Sequence, residues 1–191
     1  MIDFFSNTKN DDAIGILKGD HDKVKQLFEK FEKAETPSAK KKIVKEALAE
    51  LKVHATIEEE IFYPAVREPV GDDIMNEADE EHHVAKVLIA ELDEMDGHED
   101  HYEAKFTVLA ENVRHHIKEE ENEVFPKVKD AHVDFEDLNQ KILRRKEILL
   151  AKGVPATAEE AMVHASHGQG DSPARAAHKK QPGTHKSRSA A

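Results

Sequence analysis

The chain has 191 residues, 36% of them charged and 5% aromatic, with a formal net charge of −12 and no cysteine. That length supports one domain of ordinary size with a buried core, and the lack of cysteine excludes disulfides, iron–sulfur clusters and thiolate zinc sites, so any metal must use nitrogen and oxygen donors. From His164 onward five Lys or Arg stand against one Asp, leaving about −16 on residues 1–163, which argues against nucleic acid and anionic membranes as partners.

The opening "MIDFFSNTKNDD" has neither a basic region nor an apolar one of the kind a secretory leader needs, and no window approaches the roughly 18 apolar residues of a membrane span. The expectation is a soluble, cytoplasmic protein with no membrane association. Residues 1–10 read as an N-terminal arm. A first helix is predicted from after "NDD" to about Ala34, with Ile14, Leu17, His21, Val24, Phe28 and Phe31 at alternating steps of three and four. "TPS" at 36–38 supplies a cap and a first-turn proline. The second helix carries Ala47, Leu51, His54, Glu58, Ile61 and Ala65 on its seam and is expected to stop before Pro69.

Gly71, Asp72 and Asp73 open a third helix, whose seam is Met75, Ala78, His82, Ala85, Ile89 and Leu92. After "MDGHED" comes a fourth, with Phe106, Leu109, Val113, His116 and Glu120 in the same spacing. Four helices with short polar connections predict an all-α protein, an antiparallel up-down-up-down four-helix bundle over residues 11–131. An additional C-terminal helix begins at the cap Asp134, shows Phe135, Leu138, Ile142 and Leu149 on one face and ends at Gly153, within a helical segment over 132–164 that includes a short turn at "ATAEEAM". Residues 165–191, rich in Gly, Ser, Pro and basic residues, are expected to form a disordered, basic, His-containing tail.

A shift of 62 residues lays His54, Glu58, Glu59, Pro64 and Val66 on His116, Glu120, Glu121, Pro126 and Val128. A shift of 61 lays His21 on His82 and Val24, Phe28 and Phe31 on Ala85, Ile89 and Leu92. A helix pair has been used twice. This register selects His82 over His83 and His116 over His115.

Six ionisable residues therefore occupy core positions: His21, His54, Glu58, His82, His116 and Glu120. An unpaired buried carboxylate costs several kcal/mol, whereas cations between the helices remove that penalty. Four imidazoles and two carboxylates able to bridge suit two divalent first-row ions, iron before manganese or zinc. Glu59, one position off the seam, is expected to matter little. Tyr63, beside Pro64, reads as packing or as a hydrogen-bonding neighbour of the site. The tail histidines His164, His167, His178 and His185 read as incidental or as loose metal binders.

His21, the pair His54 and Glu58 with "IFYP", the "EEHH" run, and the pair His116 and Glu120 with "EVFP" resemble the hemerythrin-like HHE cation-binding family over residues 11–130. The resemblance implies a non-haem di-iron centre, with an oxo or hydroxo bridge, held by those six residues. Oxygen-carrying hemerythrins place a second His four residues from the first on the third helix and use His-x4-Asp on the fourth. Here Ala78 and Lys86 flank His82, and the fourth helix has His-x3-Glu. The loss of one neutral ligand implies an open position on one iron, to which Glu81, His83, His115 and Glu121 are the nearest further donors, though each sits beside the seam and reads rather as a surface residue or a neighbour of a ligand. The expected partner is a small diatomic gas or peroxide. Three functions follow: binding, sensing or reacting with dioxygen, peroxide or nitric oxide, or responding to iron; a di-iron peroxidase or catalase-like oxidoreductase; or an interaction module that metal only stiffens.

Overall fold

The computed structural model describes residues 12–131 and 133–168, and those residues form helices and no strand. Helix α1 spans Ala13–Lys33 and starts where the Asp12 carboxylate accepts the Gly15 N–H at 2.7 Å. Helix α2, Pro37–Ile57, is capped by the Thr36 hydroxyl, which accepts from the Ala39 N–H, with Pro37 in its first turn. It runs without a break through one π-helical turn, Glu58–Phe62, into α3, Tyr63–Val70. Helix α4 is Asp72–Asp93. Helix α5, Tyr102–Glu119, repeats the pattern: a π turn at Glu120–Val124 leads into α6, Phe125–Asp130. Helices α7, Phe135–Lys152, and α8, Ala158–Gly168, follow.

The four rods α1, α2–α3, α4 and α5–α6 alternate in direction, as the composition of the two apolar clusters demonstrates. One cluster joins Ile14 and Leu17 from the start of α1 to Val66 and Val70 of α3, Met75 of α4 and Val128 of α6. The other joins Phe28 and Phe31 from the end of α1 to Val44 and Ala47 of α2, Ile89 and Leu92 of α4 and Phe106 of α5. Starts of odd rods meet ends of even ones, so the bundle is antiparallel. The reversal from α3 to α4 is made by Gly71 alone, at φ 102°, a backbone region in which a side chain is strained.

The π turns correct the sequence-based seam. The Tyr63 N–H donates to the Glu58 carbonyl and the Phe125 N–H to the Glu120 carbonyl, five residues back rather than four. A wider turn leaves room for Pro64 and Pro126, which lack an N–H and whose rings would press on the carbonyl four residues back. The extra residue rotates everything downstream, so Phe62, Tyr63 and Val66 are buried, Ile61 is only partly covered and Ala65 is exposed. The rod also continues through Pro69 to Val70. Pro69 lies in the last turn with its ring toward solvent, so only one backbone bond near a helix end is lost.

Helix α7 lies against α1, α2 and the first π turn, and Leu138, Ile142 and Leu149 enter the first apolar cluster. Arg145 fixes it further with a fork of hydrogen bonds to Glu60 at 2.6 and 2.8 Å. Helix α8 lies along α4, buries Val163 and reaches His83 through Glu159 at 2.8 Å. It is a helix of 11 residues where a short turn was expected, and it runs to Gly168, past the position 165 at which the tail was expected to begin. The arm at 1–10, the side chain of His167 and the rest of the tail with His178 and His185 lie outside the described residues. His164 is exposed beside Glu94. None of the described helices is long and apolar enough to cross a membrane.

Because Ile142 is fully buried in a cluster shared with α1, α3 and α4, Ile142→Ala should cost about 2–5 kcal/mol. Urea unfolding followed by circular dichroism should show one transition with a lowered midpoint. A separate early transition would mean that α7 unfolds independently of the bundle.

Candidate metal centre

Between the two apolar clusters lies a polar layer, formed where α1, α2, α4 and α5 each carry a His and the two π turns each begin with a Glu. His21, His54, Glu58, His82, His116 and Glu120 are all buried, at 0–6% exposure. The structure brings all six together and leaves His83 and His115 exposed, as the repeat register requires.

The donors form two adjoining groups. In the first, His21, His54, Glu58 and Glu120 each place one ligand atom within 4.8 Å of the others; in the second, Glu58, His82 and His116 do so. Glu58 serves both, with Oε1 3.1 Å from His54 Nε2 and Oε2 3.4 Å from His82 Nε2. Glu120 Oε2 lies 3.1 Å from His21 Nε2 and 3.6 Å from His116 Nε2. Among the described residues, His21 Nε2, His54 Nε2, both Glu58 oxygens and Glu120 Oε2 have no hydrogen-bond partner despite this closeness. Their lone pairs converge on common points instead of meeting donors, which is the geometry a cation satisfies.

The opposite ring nitrogens face carboxylates outside the layer. His21 Nδ1 lies 3.1 Å from Glu121, His82 Nδ1 3.0 Å from Glu59, His116 Nδ1 2.7 Å from Glu81 and His54 Nδ1 3.7 Å from Asp20. At hydrogen-bond distance, Glu121, Glu59 and Glu81 hold the proton on Nδ1 of His21, His82 and His116 and leave the Nε2 lone pair for a metal, whereas Asp20 faces His54 Nδ1 from just beyond that distance. Glu59 is therefore not a bystander, contrary to the sequence expectation: like Glu81 and Glu121, it pairs with an imidazole of the layer. Asp20 and Glu59 were missed because they sit one position off the apolar seam. The signal that finds them is the repeat itself, which lays Glu59 on Glu121 and Asp20 on Glu81.

Tyr63 is the other residue that reasoning from the seam undervalued. Its hydroxyl lies 3.0 Å from His82 Nε2 and 3.2 Å from His116 Nε2, and it donates to Glu120 Oε1 at 3.1 Å. The phenol oxygen thus stands in the second group, the one with fewer protein ligands. The π turn carries it there. Its repeat counterpart, Phe125, stacks on His21 at 5.7 Å, while Tyr63 tilts against His82 at 5.1 Å, so a hydroxyl stands at this place in one half and not in the other.

Burial and charge set the protonation of the layer. Burial alone favours neutral imidazoles, but Glu58 and Asp20 outweigh it at His54, raising it to about 10. Glu58 and Glu59 do the same at His82, raising it to about 9. Burial works to raise the Glu58 carboxyl, yet His54 and His82 hold it well below its ordinary value. Burial and the Glu120 and Glu58 charges push the Tyr63 phenol well above 10, so it stays protonated. Without metal, protons on His54 and His82 neutralise the carboxylates.

Stabilisation from the raised His54 and His82 is complete below their ordinary value of 6.5 and is lost as pH climbs through about 9 and 10. That from the depressed Glu58 is present above 4.5 and is lost in acid. Chelator-treated protein should therefore melt at progressively lower temperature from pH 7 to 10, and metal-loaded protein should not. A flat or rising profile for the stripped protein would contradict this protonation pattern.

The model of the family described as hemerythrin HHE cation binding domain matches residues 12–128. The crystal structure of a hemerythrin HHE cation binding domain-containing protein from Mycobacterium kansasii is similar, with a TM-score of 0.61 and 25% identity, covering 80% of this chain and 98% of that one. A DNA nickase of Nostoc sp. (strain PCC 7120) is 25% identical over 115 residues, 60% of this chain but 33% of the relative, so the chain spans about a third of that protein. The breadth of the family match, over the residues that build the polar layer, establishes the kinship: this protein belongs to the hemerythrin HHE cation-binding domain family.

Proposed function

We propose that this is a non-haem di-iron protein that binds, senses or reacts with dioxygen, peroxide or nitric oxide, or responds to iron. The observation that carries this reading is the double duty of Glu58, one oxygen facing His54 and the other His82, as a carboxylate bridging two ions would. His21, His54, Glu58 and Glu120 would hold one ion; His82, His116 and Glu58 would hold the other. Four imidazole nitrogens with carboxylate oxygens and no sulfur favour iron, with manganese and zinc as weaker candidates. Bound iron would supply a redox change and a coordination position for a small ligand.

The protein's own contribution is to shape the space and place a proton. A narrow cavity reaches the layer, lined by Val24, Leu51, Ala85, Ile89, Val113 and Ile117 together with His21, His54, His82 and His116 and with Asp20, Glu81, Lys86 and Asn112. Such a space admits small molecules and excludes large ones. Tyr63 keeps a proton on its oxygen beside His82 and His116, in position to donate to whatever occupies the second group. That hydrogen-bond donor supports the second reading, a peroxidase or catalase-like enzyme, because it would stabilise negative charge developing on an oxygen ligand at the second group. The nicking activity named for the Nostoc relative is no part of this proposal, because the body of this chain is strongly acidic and would repel DNA.

Anaerobic loading with ferrous ion should yield about two irons per chain, and admission of oxygen should generate a near-ultraviolet charge-transfer band. A binder or sensor gives one spectral change, whereas an enzyme consumes many equivalents of added peroxide. Glu58→Ala should lower the metal count. Glu59→Ala should keep the count and weaken affinity roughly 10–100-fold, as loss of a ligand's hydrogen-bond partner does. Equal loss of metal in the two variants would contradict the bridging assignment. Tyr63→Phe should bind the same amount of iron but shift the band; an unchanged spectrum would place the hydroxyl outside the reacting centre.

A further inference from the structure

The four imidazole–carboxylate pairs continue outward, each to a basic side chain: a lysine in three of them and a histidine in the fourth. Glu121, which holds His21, accepts from Lys25 at 3.3 Å; Glu59, which holds His82, accepts from Lys86 at 3.0 Å. Lys25 and Lys86 are 61 residues apart, the same shift that relates His21 to His82, so these two chains are copies. Glu81, which holds His116, has His115 at 3.6 Å. Under the 62-residue shift the counterpart of His115 is Val53, a buried residue of the apolar core. The repeat therefore gives Asp20 no basic partner. Lys146 of α7 does: its ammonium group binds Asp20 Oδ1, leaving Oδ2 aimed at His54 Nδ1.

We propose that Lys146 is a positioning residue of the metal centre, which from outside the family-matched bundle pins Asp20 against His54 and completes there the chain that the repeat supplies to the other three imidazoles. This rests on the two-ion reading given above. Asp20 is 8% exposed, and a carboxylate so buried needs a cation close by. The groups facing it are His54 and Lys146. Oδ2 and His54 Nδ1 have no hydrogen-bond partner among the described residues, so the orientation of the Asp20 carboxylate rests on Lys146 alone. A purely structural role, stapling α7 to the bundle, is already met by Arg145 on Glu60 of the first π turn and by the apolar face of α7.

The test compares Lys146→Met with Lys141→Met, which removes the same charge from the same helix at an exposed residue paired only with Asp137. Both are loaded with ferrous ion, exposed to air, then challenged with a chelator while the charge-transfer band is recorded. Lys146→Met should release metal roughly 10-fold faster with a shifted band, since support for a ligand is lost. Lys146→Arg should restore both, and Lys141→Met should behave as wild type. In an Asp20→Asn background, Lys146→Met should add no further effect, a comparison that holds even where the single variant is less stable. Wild-type release and spectrum in Lys146→Met, equal changes in Lys141→Met, failure of Arg to rescue, or additive effects with Asp20→Asn would each overturn the inference. If wild-type protein loads two ions and Lys146→Met matches it, only this inference falls; if wild type takes up no metal, the two-ion reading falls with it.

Discussion

The whole structure depends on one electrostatic constraint: six ionisable side chains lie in the middle of a bundle whose two ends are apolar. Ile14, Met75 and Val128 close one end and Phe28, Phe106 and Leu109 the other, so water cannot neutralise Glu58 or Glu120 from either direction. Positive charge has to come from within. Protons on His54 and His82 supply it at neutral pH, and cations bound by the same atoms would supply it more completely. Metal and protons are thus alternatives for one set of lone pairs, which links occupancy of the layer to pH without any further device.

The internal repeat explains how a chain builds such a layer with little sequence information. One helix pair provides an imidazole on its first rod and an imidazole followed four residues later by a carboxylate on its second. A second copy of the pair supplies the other half. The copy extends beyond the six central residues, since Glu59 repeats Glu121, Asp20 repeats Glu81 and Lys86 repeats Lys25. It is broken in two places. Tyr63 stands for Phe125, which puts a hydroxyl on one side only, and Val53 stands for His115, which removes a basic ring from the other. Both differences fall beside the layer, where they make two chemically similar half-sites inequivalent.

Most of this was legible in the spacing of residues. The three-and-four steps place His21 between Leu17 and Val24 and His82 between Ala78 and Ala85, so the buried histidines could be chosen from their exposed neighbours without coordinates. The family resemblance pointed to iron, as the donor set already did, and changed none of those choices. Two kinds of information were hidden. A π turn has no local composition of its own; only the aromatic–proline pair at 63–64 and again at 125–126 marks it, and the one-residue rotation decides whether Tyr63 or Ile61 looks inward. The outer carboxylates were hidden for a different reason. Asp20, Glu59, Glu81 and Glu121 lie at the edge of the seam, where an acid next to solvent and an acid turned onto an imidazole have the same sequence signature.

The two helices that follow the bundle bear on its centre in different ways. Helix α8 touches it at one remove: Glu159 contacts His83 and lies 3.7 Å from Lys86, which already holds Glu59 through a contact internal to the bundle. Removal of Glu159 would leave the chain from His82 to Lys86 intact. Helix α7 contributes more directly, because no bundle residue stands where Lys146 meets Asp20, and the apolar face of the same helix closes the nearby end of the core. A bundle cut at the boundary of the family match would keep all six central donors, yet lose the side chain that orients the outer partner of His54 together with the cover over Ile14, Val66 and Val70. The extent of the centre is therefore set by charge compensation rather than by the ligands alone, and it reaches at least to α7.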